Sequence, residues 1–164
     1  MKTSGSAGSA LAGLLVLVAA ESCRPAPPDD RAFEQVQARG EVAMGVNQYT
    51  STHRFEPLAD GGMISPQRDP LDSAGVALIR SHMRSIAASF ERGDFTVPGF
   101  VHAREVPGTA LMAAHRSDIE YSVDTLLGGA RLRLQTSEPG AVAAIHEFLA
   151  FQRHDHRAGG AEPR

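Results

Sequence analysis

Glu138–Arg157, EPGAVAAIHEFLAFQRHDHR, is the stretch on which the reading of this chain turns. Pro139 suits the first turn of a helix, where an N–H has no intrahelical partner to lose. Val142, Ile145, Leu149, Gln152 and His156 follow at intervals of three and four, which sets them on one stripe. Phe148 and Phe151 widen the apolar face. Three apolar residues therefore run into a glutamine and a histidine on the side that packs inward. A buried polar group left unpaired costs about 1–3 kcal/mol, so these two need partners. Either they latch onto the first half of the chain, near Asn47, Gln48 or His53, or they line a groove where a ligand completes their bonding. The latch is the expectation.

Working outward, an earlier helix with the same character runs from Asp72 or Ser73 to about Arg92. Its stripe is Val76, Ile79, Met83, Ile86 and Phe90, with His82 on the border and Gly93 as its stop. Each helix follows a hairpin signal. Ala59-Asp60-Gly61-Gly62 joins 52–58 to 63–68, and Leu126-Leu127-Gly128-Gly129 joins 119–125 to 131–135. Leu132 and Leu134 alternate with Arg131 and Arg133, the period of a half-buried strand. Pro57 and Pro66 point to an edge or a bulge in the first hairpin. Glu41–Thr50 and Thr109–Ala114 read as an additional strand before each hairpin, with 100–106 extended between two Val-Pro-Gly runs. The expected fold is α+β: two duplicated βββα units, 42–93 and 109–157, forming one antiparallel sheet with both helices on one face. Together they make a single domain over 41–157, followed by a polar tail, 158–164.

The first residues read as an export signal. Lys2 precedes the apolar run Leu11–Ala20, which is too short to span a bilayer as a mature helix, and Val18-Ala19-Ala20 suits cleavage. Residues 1–22 are read as signal peptide and 23–40, with the Pro-rich RPAPPDD, as a disordered tether. Cys23 offers a lipid-attachment site after that cleavage. The location implied is the periplasm or cell envelope, with membrane contact only through such an anchor.

Val46-Asn47-Gln48-Tyr49-Thr50-Ser51-Thr52-His53, Ala59-Asp60-Gly61-Gly62 and Ile145-His146-Glu147-Phe148-Leu149-Ala150-Phe151-Gln152 resemble a group of small exported bacterial proteins without an established activity. Some relatives carry the label aspartate carbamoyltransferase. The Ser-Thr-Arg-Thr phosphate loop of a transcarbamylase is absent from this sequence. The resemblance implies an envelope location and no mechanism.

Composition narrows the chemistry. A formal charge of −3 and a pI near 6.1 argue against a nucleic-acid binder, which usually shows a basic face. One cysteine excludes an internal disulfide, a CxxC pair and a cysteine zinc cage. No GxSxG, Walker or Rossmann pattern is present. Histidine is the chemistry that remains. His53, His102, Gln152 and His156 are the binding candidates. His146, His154, Asp155 and His156 are the candidates for Zn or Cu, although neighbouring helical residues diverge by about 100°. No cofactor is otherwise evident, and Met44, Met63, Met83 and Met112 read as packing rather than as soft copper ligands. The functional expectation is a non-enzymatic, envelope-associated module that binds a small ligand, metal or protein partner between its halves. The alternative is a small cofactor-independent enzyme with a histidine general base in the same groove; a purely structural envelope component is a third reading.

Overall fold

The computed structural model describes residues 28–158. Helix α1 (Pro28–Met44) leads through a 3-10 turn (Gln48–Thr50) into strands β1 (Ser51–Thr52), β2 (Phe55–Leu58), β3 (Gly61–Ile64) and β4 (Gln67–Arg68). Helices α2 (Ser73–Glu91), α3 (Thr96–His102) and α4 (Thr109–Ala114) follow. Strands β5 (Glu120–Leu126) and β6 (Gly129–Gln135) and helix α5 (Pro139–Asp155) complete the fold.

The six strands form one antiparallel sheet, and the fold is α+β. Four of them are the halves of two interrupted strands. β1 with β4 and β2 with β3 share one register, bridged by paired hydrogen bonds between Arg54 and Ser65. The break falls at Pro66, which has no N–H to give to Ala130 opposite, although its carbonyl still accepts from the Ala130 N–H at 3.4 Å. The first hairpin thus runs from Ser51 to Arg68 around a two-residue turn, Ala59-Asp60, and Pro57 sits on its outer strand. The second hairpin pairs β5 with β6 around Leu127-Gly128. β6 joins the two, with β5 on one edge and β3 and β4 on the other.

Helices α2 and α5 lie on the sheet face that carries Leu132 and Leu134, each completely buried. They cross over. α2, which follows the first hairpin, packs mainly on β5 and β6, and α5, which follows the second, packs on β2 and β3. Phe90 and Phe148 meet edge to face between them, ring centres 5.8 Å apart. α5 approaches β3 so closely that a Cβ on Gly62 would overlap the Leu149 side chain. His146 fastens the same helix to the hairpin turn, its Nε2–H donating to the carbonyls of Leu58 (2.9 Å) and Gly61 (3.0 Å).

Both helix stripes are buried as their spacing predicts, except that Val142 and His156 are only half-buried, and Ala141 and Ala144 take up the packing beside Val142. Both hairpins are present too. The duplicated βββα units do not appear, because each supposed opening strand is helical. Residues 42–44 end α1, and 109–114 form α4. Thr-Ala-Leu-Met-Ala-Ala is made largely of good helix formers and is too short for periodicity to decide. The segment 100–106 is not extended either. α3 ends at His102, Pro98 sits within its first turn where no N–H is required, and Asp94 caps the Thr96 N–H at 2.9 Å. What recurs is a hairpin followed by a helix.

The tether boundary also changes. From Pro28 the chain is helical, and Val36, Gln37 and Gly40 of α1 are buried against the domain. Pro28 followed by Asp29 and Asp30 is a favourable helix start, with proline in the first turn and negative charge near the positive end of the dipole. The expected signal peptide, Cys23 and residues 159–164 of the tail lie outside the described residues. Among those described, no helix is long and apolar enough to cross a membrane.

Leu149→Ala should lower unfolding free energy by about 2–5 kcal/mol, since its side chain is fully buried and seated on Gly62. Gly62→Ala should cost about 1–3 kcal/mol by overpacking the same contact. The exposed Glu147→Ala should stay within about 0.5 kcal/mol in the same denaturant titration.

Candidate functional site

A pocket of about 90 Å³ lies where α1, α3, the first hairpin and the end of α5 meet over α2. Its floor is apolar, with Phe55, Ile64, Met83, Ile86, Phe90 and Phe148 among its lining. Its polar contributions are His53, His82, His102, His156, Gln48 and Gln152. All four binding candidates from the sequence, His53, His102, Gln152 and His156, therefore line one pocket.

They arrive from distant parts of the chain. His53 stands on the first hairpin between β1 and β2, and His102 closes the last turn of α3. The following residue, Ala103, turns left-handed (φ 52°) to end that helix. Gln152 projects from the last turn of α5 and His156 is its C-cap. The ring of His156 stacks against Phe55 (centres 5.5 Å apart) and His53 (5.6 Å), and meets His102 edge to face at 5.1 Å.

The imidazoles differ in how they are satisfied. His102 is fully engaged. Its Nδ1–H donates to Asp155 Oδ2 at 2.6 Å, and the Gln152 side-chain amide stands 3.0 Å from Nε2. An amide can serve either protonation state there, donating to a neutral ring or accepting from a charged one. Asp155 is held in turn by Arg104, whose Nη2 donates to Oδ1 at 3.0 Å while its guanidinium covers Phe151 at 4.6 Å. Nε2 of His53 and Nδ1 of His156, by contrast, are sealed from solvent and have no hydrogen-bond partner among the described residues. Each of these rings is only half-buried as a whole, so the enclosure concerns these nitrogens rather than the entire side chain.

Burial keeps both rings neutral. Loss of hydration pushes the His53 pKa down to about 4, with a further contribution from His82 nearby. The same cause lowers His156 to about 3, helped by His53 and His102 and opposed by Asp155. His82 is lowered too, mainly by burial, against a hydrogen bond to the Ala43 backbone that favours its charged form.

The latch expectation divides between its two residues. Gln152 is latched, but to His102 in the connector rather than to Asn47, Gln48 or His53. His156 does lie against His53, by ring stacking, and its Nδ1 is left without a partner. The four metal candidates do not come together. His146 is spent on the hairpin carbonyls, the His154 side chain is 87% exposed, and Asp155 serves His102 and Arg104. Helical geometry is the cause, since these positions face different directions around α5. Among the described residues, no group of three or more His, Cys, Asp and Glu side chains is placed to hold a metal ion.

Sequence reasoning missed three contributors. His82, whose place bordering the α2 stripe suggests only a core edge, stands in the pocket wall. Gln48 is buried, donating from Nε2 to the Val46 carbonyl at 3.2 Å, and it presses on Gly40 of α1. The wall from Gly40, Ala43 and Met44 was missed with α1 itself. Compared with protein-family models, curated proteins and solved structures, this chain has no significant match.

Two histidines held neutral make stability depend on pH. Their folded pKa values lie below the unfolded value near 6.5, so the unfolded chain takes up protons that the folded one refuses. Stability is therefore full above about pH 6.5 and falls as pH drops towards 4, by about 1.4 kcal/mol per pH unit for each histidine. Urea titrations from pH 7.5 to 4.5 should show this decline, and His53→Phe should make it shallower.

Proposed function

We propose that this chain is a non-enzymatic binding module whose site is the histidine-walled pocket. The observation that carries the reading is the contrast among its imidazoles. One is satisfied on both nitrogens by the protein, while two rings in the pocket wall each keep a buried nitrogen with no hydrogen-bond partner among the described residues. Buried polar groups are normally paired, and either ring turned towards a bound molecule would regain that pairing. The signal-like sequence at residues 1–22 supports delivery of the module to the cell envelope. On that account, fractionation of expressing cells should recover the processed protein outside the cytoplasm.

The enzymatic alternative has one observation in its favour. Asp155 orients His102 as a carboxylate orients a general base. A base must also offer its other nitrogen to the reacting group, and Gln152 occupies that position. The arrangement suits a brace that fixes α3 to α5 better than proton transfer.

His156→Phe tests the proposal, because it keeps the ring and removes the polar atoms. The site reading expects a melting temperature equal to or above wild type, since an unpaired buried nitrogen is lost. It also expects loss of those fragments that, in ligand-observed NMR with the wild-type protein, shift the His53 and His156 ring signals. A melting temperature lowered as much as by Leu149→Ala, with no fragment moving those rings in wild type, would instead make His156 a structural latch.

A further inference from the structure

Strand β5 leaves one of its edges unpaired, and its sequence defines what can pair there. We propose that the chain forms a two-fold homodimer in which β5 pairs antiparallel with β5 of a second copy, centred on Val123. This surface is separate from the histidine-walled pocket and goes beyond the binding reading.

The hairpin decides which backbone groups are free. Leu126 and Gly129 flank a two-residue turn, so they form a hydrogen-bonded pair. By alternation, Asp124 pairs in the same way with Arg131, Ser122 with Arg133 and Glu120 with Gln135. The N–H and C=O groups of Tyr121, Val123 and Thr125 therefore point outward, away from β6. Among the described residues these six groups have no hydrogen-bond partner. β5 runs for seven residues without a proline, a lysine or a bulge, the usual means of blunting an edge. The opposite edge of the sheet is guarded. β1 there has only two residues, and Pro57 removes a donor from β2. Pairing at β5 thus closes at two copies and leaves no equivalent edge for a third.

Charge selects the occupant and the register. Glu120, Ser122 and Asp124 are exposed on the face of β5 opposite the helices. Two copies of β5 can overlap by five residues or more in three registers. Centred on Ser122, Glu120 faces Asp124 of the second copy. Centred on Asp124, the two Asp124 carboxylates face each other. Like charges directly opposite weaken a strand pair. Centred on Val123, Glu120 faces Leu126 and Asp124 faces Ser122, so no acid meets an acid. That register is also the one that engages all six outward groups of each copy. Asp124 and Ser122 then form a non-hydrogen-bonded pair, the kind with the closer side chains, and the serine hydroxyl can donate to the carboxylate. On the other face the half-buried Val123 meets its own counterpart. Glu-Tyr-Ser-Val-Asp-Thr-Leu is thus complementary to itself reversed, and a second copy supplies that match with no further component. One pair of short strands makes a small interface, so the dimer is weak and concentration-dependent.

Sedimentation velocity on the full chain, from about 10 µM to about 1 mM, should show monomer giving way to dimer. Hydrogen exchange identifies the edge. The amides of Tyr121, Val123 and Thr125 should slow several-fold at the upper concentration. Those of Ser122, Asp124 and Leu126, already in the hairpin ladder, should not change. Ser122→Asp sets a carboxylate against Asp124 at both ends of the interface and should weaken association about tenfold. Adding Asp124→Ser to it restores an acid facing a serine, and should return association to near the wild-type level. A merely structural defect would not be rescued in this way. Thr125→Pro removes one outward N–H and spares the ladder with β6. It should also weaken the dimer, and it serves as the second variant if Ser122→Asp melts below the assay temperature. A chain that stays monomeric throughout overturns the proposal. So does a dimer indifferent to Ser122→Asp, one not rescued by Asp124→Ser, or one whose three outward amides exchange as fast as in the monomer.

Discussion

β6 is hydrogen-bonded along both edges, and the rest of the structure depends on that position. One edge pairs through its whole length with β5, and the other with the inner strand of the first hairpin. Two hairpins, each marginal alone, become one sheet only through this strand. The sheet in turn fixes the helices. Leu132 and Leu134 point from β6 into the core that α2 and α5 share, while Arg131 and Arg133 face the other way. Arg133 is tied down on that far side by Asp60 of the first hairpin turn, a second bond between the two ribbons. The crossing of each helix onto the other hairpin then brings the ends of α3 and α5 beside the base of the first hairpin. The pocket is the space left between them.

That pocket sets polar groups inside a small domain and leaves two of them unmatched. Stacking of His156 on Phe55 and His53 recovers packing energy, and the half-exposed ring edges lessen the loss of hydration. The His102–Asp155–Gln152 brace shows that the fold can satisfy an imidazole completely when its neighbours allow. The contrast between a satisfied ring and two unsatisfied ones, 5–6 Å apart, is hard to attribute to packing alone.

Much of this was legible in the sequence wherever a strong local period coincided with burial. The stripe of α2 needed only the spacing of Val76, Ile79, Met83, Ile86 and Phe90. The turns needed only glycine beside aspartate or leucine. Gln152 and His156 were legible as inward-facing polar residues, because they continue an apolar stripe, and their convergence with His53 and His102 followed once the ends of the elements met. α1 was not legible as part of the domain. Its inward face is Val36, Gln37 and Gly40, with Ala43 and Met44 half-buried; a glutamine and a glycine interrupt the apolar signal there, and a Cβ on Gly40 would crowd the Gln48 side chain. The pairing of His102 with Asp155 could not be read either, since the two are 53 residues apart and only the tertiary fold brings them together.

The pocket's walls also have a consequence for how the chain acquires its structure. α1 and the end of α5 both contribute to the enclosure, and Arg157 reaches back to Asp30 at 2.8 Å across 127 residues of chain. Closure over so long a separation is slow, because its loop entropy is lost before the contacts repay it. The hairpins and helix pairs can assemble earlier from nearer neighbours. The pocket therefore depends on contacts between segments far apart in sequence, and a molecule that fills it would join them. Such a molecule would slow unfolding by holding the two distant segments together, while leaving the early formation of the sheet untouched.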